Sequence, residues 1–555
     1  MTEDNRTIKI ICKDNIQRII PYGTSILTLS NEYKKDYKSK IIAAKVNNDI
    51  KELTYNLIED CTLEFIDTSN IDGNRIYRRS LYFIMIKAVY DLFPDLNIKI
   101  SHTISKGLFI DVKGNKEISK DDVEKIESRM RELVNCRIPF IKRVVPFSDA
   151  KEILLKSGRA DRYHAIEYRE KPFVTIYNCD GYDDYFYGYM APNTGYVDKF
   201  KLIYYPPGII LMSPEAANPE SVPEFVEQKK LFNIFMENKK WVKILEVENV
   251  GALNDRIKED RSVQLIRVSE ALQEKKVALI ADRISENENK KSVVLIAGPS
   301  SSGKTTFAQR LDIQLRVNGL RPITISLDDY FVDRDSTPTD KAGEFDYESI
   351  DAIDLKLFNS QLTALINKEE VEIPVFNFHT GAREPKGRKI RLEQNQIIII
   401  EGIHGLNEKL TRDIASEDKF KIYVSALTSM NIDDHNRIPT TDTRIIRRIV
   451  RDFQFRNCNA ISTMKRWASV RRGEEINIFP FQEEADIMFN SSLVYELSVL
   501  KTFAEPLLKE VDSMYEEYPE ARRLIEFLSY ILPIDPKEIP DNSIIREFIG
   551  GSCFS

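Results

Sequence analysis

Residues Gly298-Pro299-Ser300-Ser301-Ser302-Gly303-Lys304-Thr305 read G-x-x-x-x-G-K-T. The apolar run SVVLIA before them has the character of a buried strand, and TFAQRLDIQLRVNG after them has helical periodicity. A glycine-rich loop in that setting is a phosphate cradle. The glycines let backbone N–H groups curl around phosphate oxygens. The new helix points its positive end at the same oxygens. Gly298, Ser300, Ser301, Ser302, Gly303, Lys304, Thr305 and Thr306 are therefore the candidate nucleotide-binding residues. Lys304 can reach the β- and γ-phosphates of ATP, and the Thr305 hydroxyl can ligate Mg²⁺. The chemistry this allows is phosphoryl transfer, or the use of ATP as a conformational switch.

Two acids stand where such chemistry needs them. The strand-like RPITISL ends in Asp328-Asp329. Ligands of open α/β sheets bind beyond the carboxyl ends of the strands. A carboxylate there can accept the proton of a hydroxyl that attacks the γ-phosphate, which makes Asp328 the candidate general base. The strand IIIIEGIHGL places Glu401 at its end, where an acid suits the Mg²⁺ and water shell beside the loop. Further on, TDTRIIRRIVRDF is a basic helix. Arg444, Arg448 and Arg451 share one face at i, i+4 and i+7, and Arg447 lies close by. Such a face is expected to close over ATP as a lid, with Arg444 and Arg447 as the favoured catalytic cations.

The surrounding elements form several units. A chain of 555 residues is too long for one core and suggests roughly two to four domains. Its 42% hydrophobic and 30% charged residues are those of an ordinary globular protein. The net charge of -7 excludes a general attraction to nucleic acid. Six scattered cysteines form no C-x-x-C pair, so neither a zinc ribbon nor a disulfide scaffold is indicated. The N-terminus lacks a signal-peptide pattern, and no apolar run approaches bilayer length, so a cytoplasmic protein without a membrane partner is expected.

Residues 1–68 read as short strands and turns. Residues 69–215 mix helices such as RRSLYFIMIKAVYDLF and KDDVEKIESRMRELVN with β-like pieces. Residues 216–290 read as a charged helical connector. Residues 291–500 alternate strands and helices, the pattern of a parallel α/β sheet. Residues 501–555 read as a helical tail.

The segments GPSSSGKTT, ISLDDYF, EFDYES, IPVFNFHTGAR, IIIIEGIHGL, TDTRIIRRIVRDF and FQEEADIMFN together resemble the uridine kinase/phosphoribulokinase family. The resemblance covers about 290–500. It implies a P-loop α/β kinase that uses ATP and Mg²⁺ and acts on a small-molecule hydroxyl, with a nucleoside as the expected acceptor. It also implies Asp346 as a ribose contact and Arg383 as a substrate-side contact, with Phe376 and Phe378 lining the base site. The chain departs from the family pattern P-x-Y-D-F-x-x-H. Phe376 stands at the tyrosine position and Gly381 at the histidine position, with His379 two residues away. A sugar phosphate or another alcohol therefore stays open as acceptor.

The first 67 residues resemble the TGS domain, a β-grasp module. The following region is similar to the α+β editing domain of threonyl-tRNA synthetase. At the four positions that hold His, His, Cys and His in that family, this chain has Arg79, Phe83, Phe186 and Met190. The resemblance thus implies no metal and no editing hydrolysis in this half. Cys179 and His164 do not fit the spacing and read as structural. The stretch YNCDGYDDYFYGYM could stack on bases, but Asp180, Asp183 and Asp184 argue against an RNA track. The expectation is a scaffold or regulatory surface. An ATP-switched protein that contacts RNA or a translation partner is the alternative to an enzyme, and a homo-oligomer is compatible with either.

Overall fold

The computed structural model describes residues 6–12, 15–156, 160–286, 292–339, 343, 345–377 and 380–554. The chain begins with a five-stranded sheet in the order Gln17–Pro21, Thr7–Cys12, Cys61–Asp67, Ile41–Val46, Asp49–Glu52. Thr7–Cys12 and Cys61–Asp67 run parallel and the other pairs antiparallel. Alternation dictates one buried face: Ile8 and Ile10 meet Leu63 and Phe65 under the short helix Ile26–Ser30. Ser25 caps that helix by accepting the Thr28 amide at 3.2 Å.

The helix Ile71–Leu92 follows, capped by Asn70 and ending just before Pro94. It shares a core with the helix Lys120–Asn135 and with a four-stranded antiparallel sheet. A capping box of Ser119 and Asp122 opens the Lys120–Asn135 helix. A separate three-stranded sheet is made by Ile141–Pro146, Phe173–Cys179 and Tyr182–Tyr185. In the expected connector, helices occupy Lys229–Leu245, Val250–Lys258 and Ser262–Ser285, whereas 216–228 carries none.

The P-loop sheet has five parallel strands. Val293–Ala297 is central, between Gln396–Glu401 and Lys419–Ser425. Arg321–Ser326 and Ile487–Asn490 form the edges. Both faces are covered, which is why strands such as QIIIIE are continuously apolar rather than alternating. The region between the second and third of these strands in sequence adds the helix Leu355–Ile366 and two small hairpins.

One apolar core holds Ile176 and Tyr185 of the three-stranded sheet together with Ile296, Phe307, Phe527 and Ile545. The loop 431–437 adds polar ties across the same boundary. His435 meets Asp184 at 2.7 Å and Arg162 at 2.6 Å, and Asp434 pairs with Lys113 at 3.0 Å. Among the described residues no helix is long and apolar enough to cross a membrane.

Candidate active site

The loop 298–303 leaves the central strand and turns into the helix Lys304–Val317. Local sterics set its residues. A Cβ on Gly298 would run into the Val424 carbonyl oxygen of the adjacent strand. Gly303 sits at φ 83°, and a Cβ there would come within 2.6 Å of the Ile544 side chain. Ser301 and Ser302 are buried, and neither hydroxyl finds a partner among the described residues. Lys304 curls back to the Pro299 carbonyl at 3.2 Å, and the Thr305 hydroxyl lies 3.4 Å from Glu401.

Strand register brings the acids to the loop. Ser326 pairs with Glu401, and Glu401 pairs with Ile296, so three strands end side by side. Asp328 lies two residues beyond Ser326, in a short turn capped by the Ser326 hydroxyl. It opens onto the cleft, and the protein crowded around it pushes its carboxyl above the usual range. Lys304, Arg456 and Arg451 oppose that shift. Burial pushes Glu401 up to about 7, with Lys304 acting against it and Asp328 and Glu547 reinforcing it. Burial likewise pushes Glu348 up to about 7, reinforced by Glu474 and Asp328. The site is thus a group of crowded carboxylates around one lysine. A hard cation with oxygen ligands suits such a group. Among the described residues no cluster of three acidic, His or Cys side chains forms a metal cage. Mg²⁺ beside phosphates needs only one or two carboxylates plus water, so Glu401 and Thr305 fit that ion.

The two favoured arginines occupy a different place from the expected lid. Arg444 and Arg447 are 1% and 0% exposed and lie behind the loop. Arg444 donates to the Ser300 carbonyl at 3.0 Å and pairs with buried Glu474. Arg447 donates to the Ser301 carbonyl at 3.3 Å and pairs with buried Glu496. Glu474 also accepts the Ser300 amide at 3.0 Å. Guanidiniums that are fully buried and bonded to the loop carbonyls cannot swing over a nucleotide. The cations nearer the cleft are their neighbours Arg448, Arg451 and Arg456, which share the buried Asp452. Arg448 donates to the Ser300 hydroxyl at 2.7 Å, and Arg451 and Arg456 act on Asp328.

The substrate-side residues also differ in placement. Arg383 donates to the carbonyls of Tyr330 and Phe331 at 3.2 and 3.1 Å and pairs with Asp354, so it holds the turn that carries Asp328. Asp346 accepts the Glu348 amide at 3.2 Å and shapes the turn that presents Glu348. Phe376 is buried against Phe331, with ring centres 5.7 Å apart. Phe378 and His379 lie outside the described residues. Gly381 has φ 72°, and a Cβ there would come within 2.6 Å of Arg334, so a histidine at this position would be strained. A cavity of about 670 Å³ opens beside Thr305, Asp329, Arg388 and Glu401.

Glu348 and Glu547 were not singled out by their sequence. Glu348 enters the cleft because Gly473 leaves room for it: a Cβ on Gly473 would collide with the Glu348 side chain. Glu547 reaches the loop from the C-terminal segment. Its carboxylate accepts the Thr306 amide at 3.1 Å and the Thr306 hydroxyl at 2.9 Å. Thr306 was expected among the nucleotide-binding residues, and here a carboxylate holds its donors.

In the N-terminal half, Phe83 and Phe186 pack with tilted rings, centres 5.2 Å apart, and Met190 accepts the Ser80 hydroxyl at 3.6 Å. Asp184 is fully buried, and Asp183 pairs with Arg143. Cys179 is buried with its thiol pushed up to about 12, and His164 pairs with Asp255 at 2.8 Å.

The parallel sheet, the phosphate cradle and the acids at the strand ends define a P-loop α/β unit. Residues 293–497 match the sequence model of the Phosphoribulokinase / Uridine kinase family. The N-terminal part is similar to threonyl-tRNA synthetases. The threonine–tRNA ligase of Ehrlichia chaffeensis is 31% identical over 196 residues, which are 35% of this chain and 31% of that enzyme. Threonine–tRNA ligase 1 of Bacillus subtilis is 26% identical over 197 residues, 35% of this chain and 31% of the enzyme. The match thus spans about a third of the length of these relatives. A possible uridine kinase from Bacillus stearothermophilus aligns at 20% identity with a TM-score of 0.28, over 39% of this chain and 98% of its own.

Proposed function

We propose that the chain is an ATP- and Mg²⁺-dependent kinase that transfers the γ-phosphate to a hydroxyl of a small molecule, a nucleoside of the uridine or cytidine kind. The observation that carries this reading is the convergence of Lys304, Asp328 and Glu401 at three adjacent strand ends beside a phosphate cradle. In this reading the loop amides and Lys304 hold the phosphates. Thr305 and Glu401 would hold Mg²⁺, which when bound neutralises charge on the β- and γ-oxygens. Asp328 accepts the hydroxyl proton as the new O–P bond forms and ADP leaves. Arg448, Arg451 and Arg456 add positive charge at the cleft, while Arg444 and Arg447 keep the cradle in shape. Arg383, Asp346, Phe376 and Phe378 bound the acceptor side. Residues 1–68 and 69–215 act as TGS-like and editing-like modules without metal chemistry, 216–290 links them to the kinase unit of 291–500, and 501–555 closes against it.

The test incubates the chain with Mg²⁺, γ-labelled ATP and a panel of nucleosides, sugar phosphates and simple alcohols. A labelled nucleoside monophosphate is expected. Asp328→Asn should leave ATP binding nearly intact and lower transfer about 10²–10⁴-fold. Full activity in that variant removes Asp328 as base, and an unlabelled panel removes the kinase reading.

A further inference from the structure

A second cavity, of about 290 Å³, opens far from the phosphate loop in sequence. It lies where the strand Asp49–Glu52, the helix Ile71–Leu92, the segment 185–189 and the helix Tyr518–Leu528 meet. Its size is near the lower end of small-molecule sites. Seven cations and three carboxylates line it. Most of these cations are matched. Arg75 and Arg523 share Glu520, Arg523 also grips Asp442 at 2.6 and 2.8 Å, and Arg169 and Lys171 share Glu526.

Arg79 is different. Among the described residues it forms no ion pair with any carboxylate. Its guanidinium donates to the Tyr189 carbonyl at 2.8 Å and stands 5.9 Å over the Tyr187 ring. The backbone is fitted to it, since a Cβ on Gly188 would come within 2.6 Å of its guanidinium carbon. Burial lowers its affinity for the proton, as expected for an uncompensated cation. Two more donors in the wall are buried without an acceptor among the described residues: the Tyr530 hydroxyl and Arg169 Nε. Unmet donors beside an unpaired guanidinium are costly unless an anion joins them. Tyr187, Tyr189 and Phe173 add flat apolar walls, which suit a stacked heterocycle.

We propose that this cavity binds a nucleoside monophosphate, with the phosphate on Arg79 and the base against the tyrosines. One unpaired cation matches one phosphate group, and the volume leaves room for little more than the nucleoside.

The test uses the full-length Lys304→Ala chain, which silences the phosphate loop, in isothermal titration calorimetry. The probes are UMP, CMP, AMP, GMP, their nucleosides, inorganic phosphate and a short RNA ending in CCA. At least one monophosphate should bind with a stoichiometry of one, and its nucleoside and inorganic phosphate should bind far more weakly. Arg79→Met should weaken binding about tenfold or more, the expected loss of a charge-assisted contact. If that variant does not fold, Tyr530→Phe keeps the packing and should still weaken binding several-fold. No saturable binding of any monophosphate overturns the proposal. So does affinity unchanged in Arg79→Met, or in Tyr530→Phe where that variant is the one measured. Binding of the RNA without any monophosphate also overturns it.

Discussion

Glu401→Gln should stabilise the free protein while damaging its chemistry. Glu401 is held beside Asp328 and Glu547, and burial raises its carboxyl from the ordinary 4.5 to about 7. A raised folded-state value means that stability is fully present below the unfolded value and is lost as pH rises through the folded one. Between about pH 4.5 and pH 7 the folded carboxyl therefore keeps a proton that the unfolded chain has released. Above pH 7 the folded site must carry the charge. The gap amounts to about 3 kcal/mol at about 1.4 kcal/mol per pH unit. For a unit of about 200 residues this is a melting shift of roughly 6–12 °C. Gln keeps the shape and can still accept from Thr305. Scanning calorimetry at pH 5 and pH 8, without metal or nucleotide, should show the variant melting higher at pH 8 and close to wild type at pH 5. The transition to follow is the one that MgATP shifts in the wild type. Adding MgATP should reverse the order, because only the wild type offers a carboxylate to the ion. The reasoning fails if Glu401→Gln melts at or below wild type at pH 8, or if the difference is the same at both pH values.

The raised carboxyl of Asp328 predicts an acidic limb in kcat/KM, with the rate climbing as pH rises through a value above the ordinary carboxylate range; a pH–rate profile checks it, and Asp328→Asn should lose the limb together with the rate. Glu474→Gln removes the partner of buried Arg444 and one anchor of the Ser300 amide. It should cost about 3–5 kcal/mol, read as a lower melting temperature together with lost nucleotide binding. Glu547→Gln removes a carboxylate from the Thr306 donors and from beside Glu401. Fluorescent-ATP titration should show tighter binding by about tenfold or less, the scale of one partly screened charge at a helix N-terminus.

The phosphate loop was legible because its chemistry is local. Gly298, Gly303 and Lys304 act within a few residues of one strand and one helix, and the flanking periodicities give both away. Asp328 and Glu401 were legible for a related reason: the ends of buried strands are visible as the ends of apolar runs. The arginine helix was half legible. Periodicity showed that Arg444, Arg447, Arg448 and Arg451 share a sector of the helix. Which of them turns to the back of the loop depends on Glu474 and Glu496, acids 30 and 49 residues further on. Glu348 and Glu547 were not legible, because each arrives by tertiary packing, one through the space at Gly473 and the other from the far end of the chain.

The burial of Arg444 and Arg447 has a physical logic that the lid expectation lacked. A loop whose amides must take phosphate cannot also use those amides to satisfy its own carbonyls. The Ser300 and Ser301 carbonyls therefore need donors from elsewhere, and the two guanidiniums supply them. Their helix must then be fixed as firmly as the loop is. Its first turn carries Asp442, gripped through both oxygens by Arg523, and the segment before it is held by the Asp184–His435 contact. Both anchors lie outside the parallel sheet: one is on the C-terminal helix Tyr518–Leu528 and the other in the N-terminal half. Arg523 also lines the cavity that contains Arg79. The fused half therefore reaches the helix that holds the phosphate cradle in two ways: directly at His435, and through Arg75, Glu520 and Arg523 at Asp442.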